Sequence, residues 1–515
     1  MDVPVLIVGG GMSGLSSALF LAGHGVPCLL VERHADHSPH PRLSGLFPRV
    51  MEVFRQAGLE PAIRALDEFG GQEGRFIKAE TLAGPEIDNN PDILEDSDLG
   101  PHTPAPGAVC DQDQVEPLLR ARASELGADI RFHTELVGFQ QDDDGVTAVI
   151  RDRSGGATTT VRAAYLLACD GDRSPIRESL GIDRQGPGKL VDRLGILFRA
   201  DLSAALRGRH VRICLTPDHG DLHVRALNRW GYGRGFDPEH DRLEDFTGDR
   251  AAQLIRAAVG LPGLEPDILD VQRWQISAAI ATRLRHGRVF LLGDAAHVWP
   301  ATGGFAGQAC VLDAHNLAWK LAATLDGTAG PGLLDSYEDE RLPIARISMD
   351  DSLRRMAWFH TAAPGADQPR DHATVAMGAV YRSSAILPED PAGQGEPLEN
   401  PRHPTGRPGT RAPHVAIARD GVRQSTIDLF GTSFVLLTDA EGEDWYQAAG
   451  QAGVRPAAYR FGVDLDDLDG AYPARYGVRP GGAVLVRPDG HIAWRAADDR
   501  VPADTLKPVL ARLLR

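Results

Sequence analysis

The chain has 515 residues, 42% of them hydrophobic and 24% charged, with a formal net charge of −17. Its length corresponds to about three domains, with enough apolar material for substantial cores. The acidic balance argues against nucleic-acid backbones and anionic membrane surfaces as partners, and no run approaches the roughly 18 apolar residues of a membrane span.

The first element predicted is a short buried strand, Pro4-Val5-Leu6-Ile7-Val8, followed by Gly9-Gly10-Gly11-Met12-Ser13-Gly14. It lacks a basic leader, so a signal peptide is not expected. Leu15, Ala18, Leu19 and Ala22 recur at helical spacing, Gly25 closes the helix, and a second strand ends at Glu32. Strand, Gly-x-Gly-x-x-Gly, helix, and strand ending in an acid form the fingerprint of a dinucleotide-binding βαβ unit. Gly9 permits the tight turn, Gly11 lets backbone approach a pyrophosphate, and Gly14 allows helix and strand to pack closely. The N–H groups of Met12 and Ser13 then face the anion at the helix N-terminus. Glu32 suits a free ribose 2′-hydroxyl, as in FAD or NAD. Arg33 follows it, so NADP is not excluded by the acid alone.

Further along, Val50–Arg55 reads as a helix on this first domain. Residues 83–107 read as a long irregular excursion with Pro85, Pro91, Pro101, Pro104 and Pro106. Helical spacing returns over Gln114–Leu126, and residues 130–166 alternate as a β-meander. Between about 180 and 275 the pattern is strand-rich, including Val211–Leu215 and Arg229–Tyr232, and predicts an inserted antiparallel sheet. Strand Val289–Leu292 and a helix from about Leu312 to Leu325 restore the α/β pattern. Residues 388–409 are rich in Pro and Gly and read as a linker. The last 105 or so residues, with strands Phe434–Leu437 and Ala483–Val486 and a helix near Leu506–Leu514, suffice for a small α/β domain. The five cysteines, Cys28, Cys110, Cys169, Cys214 and Cys310, are never in CxxC or metal-ligand spacing. Buried reduced thiols in a cytoplasmic protein, with no metal site, are therefore expected.

Two more motifs follow strands. Asp170-Gly171-Asp172-Arg173-Ser174-Pro175-Ile176-Arg177 comes after Tyr165–Ala168, and Gly293-Asp294-Ala295-Ala296-His297-Val298-Trp299-Pro300 comes after Val289–Leu292 and leads into Thr302-Gly303-Gly304-Phe305. With the glycine fingerprint, in this order, they resemble the class A flavoprotein monooxygenases of the para-hydroxybenzoate hydroxylase superfamily. Asp313–Leu321 and Leu333–Pro343 resemble the subgroup that hydroxylates aromatic polyketides and carries a C-terminal thioredoxin-like domain. Ser425–Gly431 and Leu485–Arg495 resemble that domain. It contains no cysteine here, so dithiol exchange is excluded.

The resemblance implies an α/β fold: a Rossmann-like FAD-binding domain (1–178, with a substrate-side excursion near 70–107, and 277–395), an inserted antiparallel-sheet substrate domain (179–276), a linker (396–409) and a thioredoxin-like domain (410–515). The linker is expected to let the last domain form its own core. The resemblance further assigns Asp294 to the flavin's ribityl hydroxyls, and Pro300, Gly303, Gly304, Phe305, Ala306 and Gly307 to a loop and helix start at the flavin N1–C2=O edge. There a helix N-terminus stabilises the reduced anion. It also places Arg42, Gln112 and Asp170 beside the cofactor and gives His297 a structural role. No side chain is expected to be a nucleophile. Trp230, Tyr232 and Trp274 are candidates to line the substrate pocket.

The chemistry implied is reduction of FAD by NADPH or NADH, formation of a flavin C4a-hydroperoxide with O₂, and hydroxylation of a polycyclic phenol. A Baeyer–Villiger or rearrangement outcome, or a flavin-binding protein without catalysis, stands as the alternative. The small aromatic substrate and O₂ are the partners, and a homo-oligomer is compatible. One stretch departs from the subgroup: Gly307-Gln308-Ala309-Cys310 stands where relatives continue Gly-Asn-Thr-Gly, so any side-chain bond to the flavin edge from these positions is altered.

Overall fold

A computed structural model describes residues 1–38, 42–67, 74–88, 98–361, 367–389 and 395–515. Pro41, residues 89–97 of the proline-rich excursion and residues 390–394 of the Pro/Gly run lie outside them.

Strand Asp2–Val8 is central to the first sheet, pairing in parallel with Cys28–Glu32 on one side and Thr158–Ala168 on the other. Val289–Leu291 extends the parallel set beyond Ala168, and Asp129–Phe132 extends it beyond Glu32. Val5 to Val8 are all buried, as expected of a strand covered on both faces. Helix Met12–Gly23 is buried from Met12 to Ala22, between that sheet and helix Phe305–Leu325. The register aligns Val8 with Val31 and Ala168, and Ala168 with Leu291. The glycine loop, Glu32, the Asp170 turn and the Gly293 turn therefore leave the sheet along one carboxyl edge, where open α/β sheets bind ligands.

The second sheet runs, in spatial order, His297–Val298, Asp267–Ala281, Arg184–Arg199, Arg229–Gly235, Gly220–Arg225, Val211–Thr216, Arg75–Ala79 and Glu86–Asp88. Its outer strands at 75–88 come from the excursion, so part of the stretch that reads as irregular forms this sheet's edge. One face buries Leu194, Ile196, Phe198, Leu222 and Cys214 against Phe246 and helix Gly248–Val259. At its other end, His297–Val298 pairs with Ile280 and Ala279. This sheet is thereby joined directly to the loop that follows Asp294.

In the C-terminal part, Ala457–Arg460, Val435–Thr438, Ala483–Val486 and Ile492–Ala496 form a four-stranded sheet with one parallel and two antiparallel pairs. Helices Glu443–Gln451 and Leu506–Leu513 pack on it. This part has a core of its own, in which Val435, Leu437, Val484 and Val486 pack with Ile417 and Tyr476, and the expectation of independence behind a linker is corrected for the other face of its sheet. Trp319, Ala329 and Leu333 share one buried cluster with Phe434, Leu485, Leu510 and Leu514, with Trp319 edge-on to Phe434 at 5.8 Å. The Pro/Gly run is threaded into the fold by backbone bonds, Tyr381 N–H to Gly409 O and Gly409 N–H to Ile492 O, both 2.8 Å.

Fully buried charges cross the same junction. Glu340 accepts from Lys320 (2.7 Å) and from both terminal nitrogens of Arg487 (2.5 and 2.9 Å). Glu52 accepts from Arg49 (3.1 Å) and Arg411 (2.9 Å). Burial lowers the Lys320 ammonium to about 8, opposed by the charge of Glu340. Removing one partner of such a network leaves an uncompensated buried charge. Among the described residues no helix is long and apolar enough to cross a membrane.

Candidate cofactor and substrate site

Close approach explains the glycines. At Gly9, where φ is +111°, an added Cβ would strike the Cys169 carbonyl, and at Gly14 it would strike the Gly9 carbonyl. Gly11 precedes the helix without a side-chain cap, which leaves its first N–H groups for an outside acceptor. Glu32 folds back on this loop, accepting from Gly10 N–H (2.7 Å) and His34 N–H (2.8 Å). A carboxylate has further lone pairs, so a ribose hydroxyl is still accommodated. Arg33 is exposed. Gln112 opens helix Gln112–Glu125, its backbone N–H bonded to Leu43 O (3.1 Å) and its amide to Glu116 (2.6 Å). Beside this loop lies an open groove of about 600 Å³, lined by Asp36, His37, Asp113, Pro117 and Arg120.

In the second motif both Asp170 oxygens are taken up by the turn itself, accepting from Ser174 Oγ (2.6 Å) and Ile176 N–H (3.1 Å). Burial pushes its carboxyl above the usual range, opposed by these bonds. Ser174, at φ +29°, accepts from Arg177 N–H. Arg177 donates to Asp172 O and Ala295 O, both 2.9 Å. The motif thus clamps the Gly293–Ala295 turn, a coupling that its spacing alone does not reveal.

That turn carries the clearest candidate for a cofactor-binding group. Gly293 is at φ +57°, and a Cβ there would strike Ser13 Oγ. Its N–H donates to Asp313 (3.1 Å), which also bonds His297 (2.8 Å) and Arg341 (2.7 Å). Burial alone would raise the Asp313 carboxyl; the Arg341 and His297 charges hold it at about 2. His297 is held through Nε2 by Asp313 and stacks on Trp299 at 4.7 Å. Asp294 is different: among the described residues its half-buried carboxylate accepts no hydrogen bond. Burial pushes it above the usual range, with the Arg42 and His297 charges pulling it back. A desolvated acceptor without a protein partner, next to glycines that keep the backbone close, fits the polyol chain of a flavin.

Pro300 is buried, and Gly303 and Gly304, at φ +92° and +70°, turn the chain into helix Phe305–Leu325. The helix has no side-chain cap, so the N–H groups of Phe305, Ala306 and Gly307 are available to an electron-rich edge. Phe305 contributes backbone only, because its ring is buried against His372 (5.1 Å) and Phe47 (6.1 Å). Gln308 accounts for the departure from the subgroup: its Oε1 accepts from Phe47 N–H (3.0 Å) and its Nε2 donates to Gly45 O (2.8 Å). It ties loop 45–47 to the helix. The Cys310 thiol is pushed well up by burial and stays neutral.

The second sheet turns its other face to this region. Arg212 donates to Ser44 O (2.8 Å), and Arg225 lies 3.6 Å from Asp111, the residue before Gln112. Two substrate expectations are corrected here. Trp230 and Tyr232, 5% and 2% exposed, sit in the core on the face away from the cofactor motifs. Side chains alternate along a strand, so their neighbours Gly231 and Gly233 are the residues facing the first domain. Trp274, 39% exposed, lies across Gly195 on that inward side. The signal that was missed is this alternation: Gly195, Gly231 and Gly233 lie on the inward side and let Trp274, Arg225, Arg193 and Asp221 fold close over them.

Residues 2–352 match the family described as FAD binding domain, and residues 405–515 match the aromatic-ring hydroxylase C-terminal family. The chain is 41% identical to tetracenomycin A2 monooxygenase-dioxygenase of Streptomyces glaucescens, over 100% of this chain and 97% of the relative. It is 42% identical to aklavinone 12-hydroxylase RdmE of Streptomyces purpurascens, over 100% and 99%. A crystal structure of aklavinone-11 hydroxylase with FAD and aklavinone superposes with a TM-score of 0.91 at 42% identity, covering 99% of both chains. The flavin-dependent monooxygenase PieE, solved with FAD and substrate, gives 0.89 at 33% identity, covering 100% of this chain and 99% of that one. With its motifs joined at one sheet edge, the chain belongs to the FAD-binding-domain family of aromatic-ring hydroxylases and is an FAD-dependent monooxygenase.

Proposed function

We propose that this monooxygenase hydroxylates a polycyclic phenol of the aromatic polyketide type, with NADPH or NADH as the reductant of FAD. The observation that supports it best is the inward face of the second sheet. There Gly195, Gly231 and Gly233 let the side chains of Trp274, Arg225, Arg193 and Asp221 lie close over the backbone, on the side from which Arg212 and Arg225 reach the first domain, and an indole among polar groups suits a phenol-bearing ring system. The tetracenomycin and aklavinone enzymes among the relatives point to the same substrate class.

FAD, once reduced, supplies the activation of O₂. The chain's own residues bind and orient it: Gly9, Gly11, Met12, Ser13 and Gly14 at the pyrophosphate, Glu32 at the ribose, Gln112, Arg42 and Asp294 along the ribityl chain, and the backbone from Pro300 through Gly303 and Gly304 to Gly307 at the ring edge. Asp170 acts by holding the Gly293 turn, and Trp274 borders the substrate. The domain limits suggested by the sequence stand as part of this reading, with strand Asp267–Ala281 carrying the substrate sheet past residue 276.

Incubating the FAD-loaded protein with NADPH, ¹⁸O₂ and a panel of hydroxyanthraquinones and hydroxynaphthacenes tests the proposal by mass spectrometry. One labelled oxygen gained as a ring hydroxyl is expected. Ring expansion to a lactone would mark a Baeyer–Villiger reaction. Flavin binding without substrate-stimulated NADPH oxidation would refute catalysis on this class. The dioxygenase function in one relative's name makes a second labelled oxygen worth scoring.

A further inference from the structure

On the inward face of the substrate sheet three charged or titratable side chains form a chain of contacts that flavin binding does not use. Strand Gly220–Arg225 carries Asp221, His223 and Arg225 on one side, two residues apart, while Leu222 packs into the opposite core. Asp221 pairs with Arg193 of strand Arg184–Arg199 and with Nε2 of His223. The three crown Gly233 and Gly231: a Cβ at Gly233 would meet Arg193 and Asp221 (both 2.7 Å), and one at Gly231 would lie 3.8 Å from His223. Arg225, one position further, pairs with Asp111 of the first domain, so this face turns toward the cofactor side.

Burial alone would raise the Asp221 carboxyl, but the hydrogen bond from His223 and the paired Arg193 guanidinium hold it below the ordinary range. Asp221 is therefore an anion. In a neutral imidazole, an anionic acceptor at Nε2 selects the Nε2–H tautomer and leaves the lone pair on Nδ1. Among the described residues Nδ1 has no hydrogen-bond partner, and the side chain is 29% exposed. The charged groups facing His223 are Asp221 and Arg225 on its own strand and Arg193 on a strand beyond Arg229–Gly235; from strand Val211–Thr216 it faces the apolar Ile213.

We propose that His223, oriented by Asp221 and Arg193, takes the phenolic proton of the substrate at Nδ1. The phenol O–H bond breaks, an N–H bond forms on Nδ1, and the electron pair stays on oxygen, where it conjugates into the ring and makes the ring carbon a better nucleophile. The imidazolium is balanced by Asp221 while Arg193 keeps Asp221 ionised. The same proton returns to that oxygen as the hydroxylated ring regains aromaticity, and the C–H proton that the ring loses is released to solvent water. This rests on the proposed hydroxylation, in which His223 is a catalytic residue and Asp221 and Arg193 position it.

The test uses the full-length FAD-loaded enzyme without reductant and 1,8-dihydroxyanthraquinone as probe, because its phenolate absorbs at longer wavelength than its phenol. Titrating the bound probe against pH in wild type, His223→Gln and Asp221→Asn should show its apparent pKa raised in both variants. For His223→Gln about tenfold less phenolate is expected at a given pH, since one pKa unit is a factor of ten. With NADPH and O₂, kcat and the product formed per NADPH should fall while KM changes little, and unchanged FAD content shows that the variants fold. A His223→Gln enzyme whose bound probe titrates as in wild type overturns the assignment and leaves hydroxylation standing. A wild-type enzyme that neither binds nor hydroxylates the probe or the wider panel overturns both.

Discussion

Replacing Asp294 by alanine separates cofactor binding from folding, because the two depend on this residue with opposite signs. Its carboxylate is half-buried and accepts no hydrogen bond among the described residues, so the variant loses no protein contact of that kind. Burial raises its carboxyl, which means that ionisation opposes folding of the cofactor-free protein. The sign follows from linkage: a carboxyl whose folded pKa lies above its unfolded one favours the folded state most when protonated. That advantage is lost as pH rises from the ordinary carboxyl range through the raised value. Flavin hydroxyls donate to the ionised form, so FAD binding should strengthen over the same window. A charge-assisted hydrogen bond contributes about 1.5–3 kcal/mol, so Asp294→Ala should weaken FAD by about 10- to 150-fold at neutral pH. Fluorescence titration with FAD gives the affinity, and thermal melts of cofactor-free protein give the stability. The reasoning is refuted if FAD affinity stays within about twofold of wild type. It is also refuted if cofactor-free Asp294→Ala melts well below wild type, because the residue would then hold the turn rather than the flavin.

Gln308→Ala removes both bonds that tie Phe47 N–H and Gly45 O to the flavin-loop helix, leaving buried groups unpaired at about 1–3 kcal/mol; lower stability and weaker FAD binding, read by melting and titration, are expected together. Trp230→Ala should cost about 3–5 kcal/mol in denaturant unfolding, as a large core side chain is deleted, whereas half-exposed Trp274→Ala should leave stability nearly intact and shift KM. Truncation after Pro408 removes Arg487 from Glu340 and Arg411 from Glu52 and uncovers Trp319 and Leu333, so the remaining chain should aggregate or self-associate, as light scattering would show. A soluble, monomeric, FAD-binding fragment would refute that last expectation.

These outcomes track what the sequence made legible. Gly9 and Gly14 could be recognised without coordinates because each lies at a close approach that only hydrogen in place of Cβ permits, and such constraints recur at fixed spacing. The same holds for the order of strands around the cofactor edge, since short buried runs followed by glycine turns leave few alternatives. What failed were decisions about which way a side chain points. Trp230 and Tyr232 attracted attention by size, yet alternation along one strand puts Gly231 and Gly233 on the side facing the first domain, and nothing local says which face that domain will cover. Gln308 sits inside a cofactor motif, but the loop that captures it is 261 residues away in sequence. Arg487 meets Glu340 across 147 residues, and through such pairs a domain without redox cysteines is packed onto the flavin domain. Position along the chain therefore reported on backbone chemistry, while the partners of polar side chains were set by packing between distant segments. The His223–Asp221–Arg193 array belongs to the second kind: Asp221 and His223 are two residues apart on one strand, but Arg193 and the surface they face come from elsewhere in the fold.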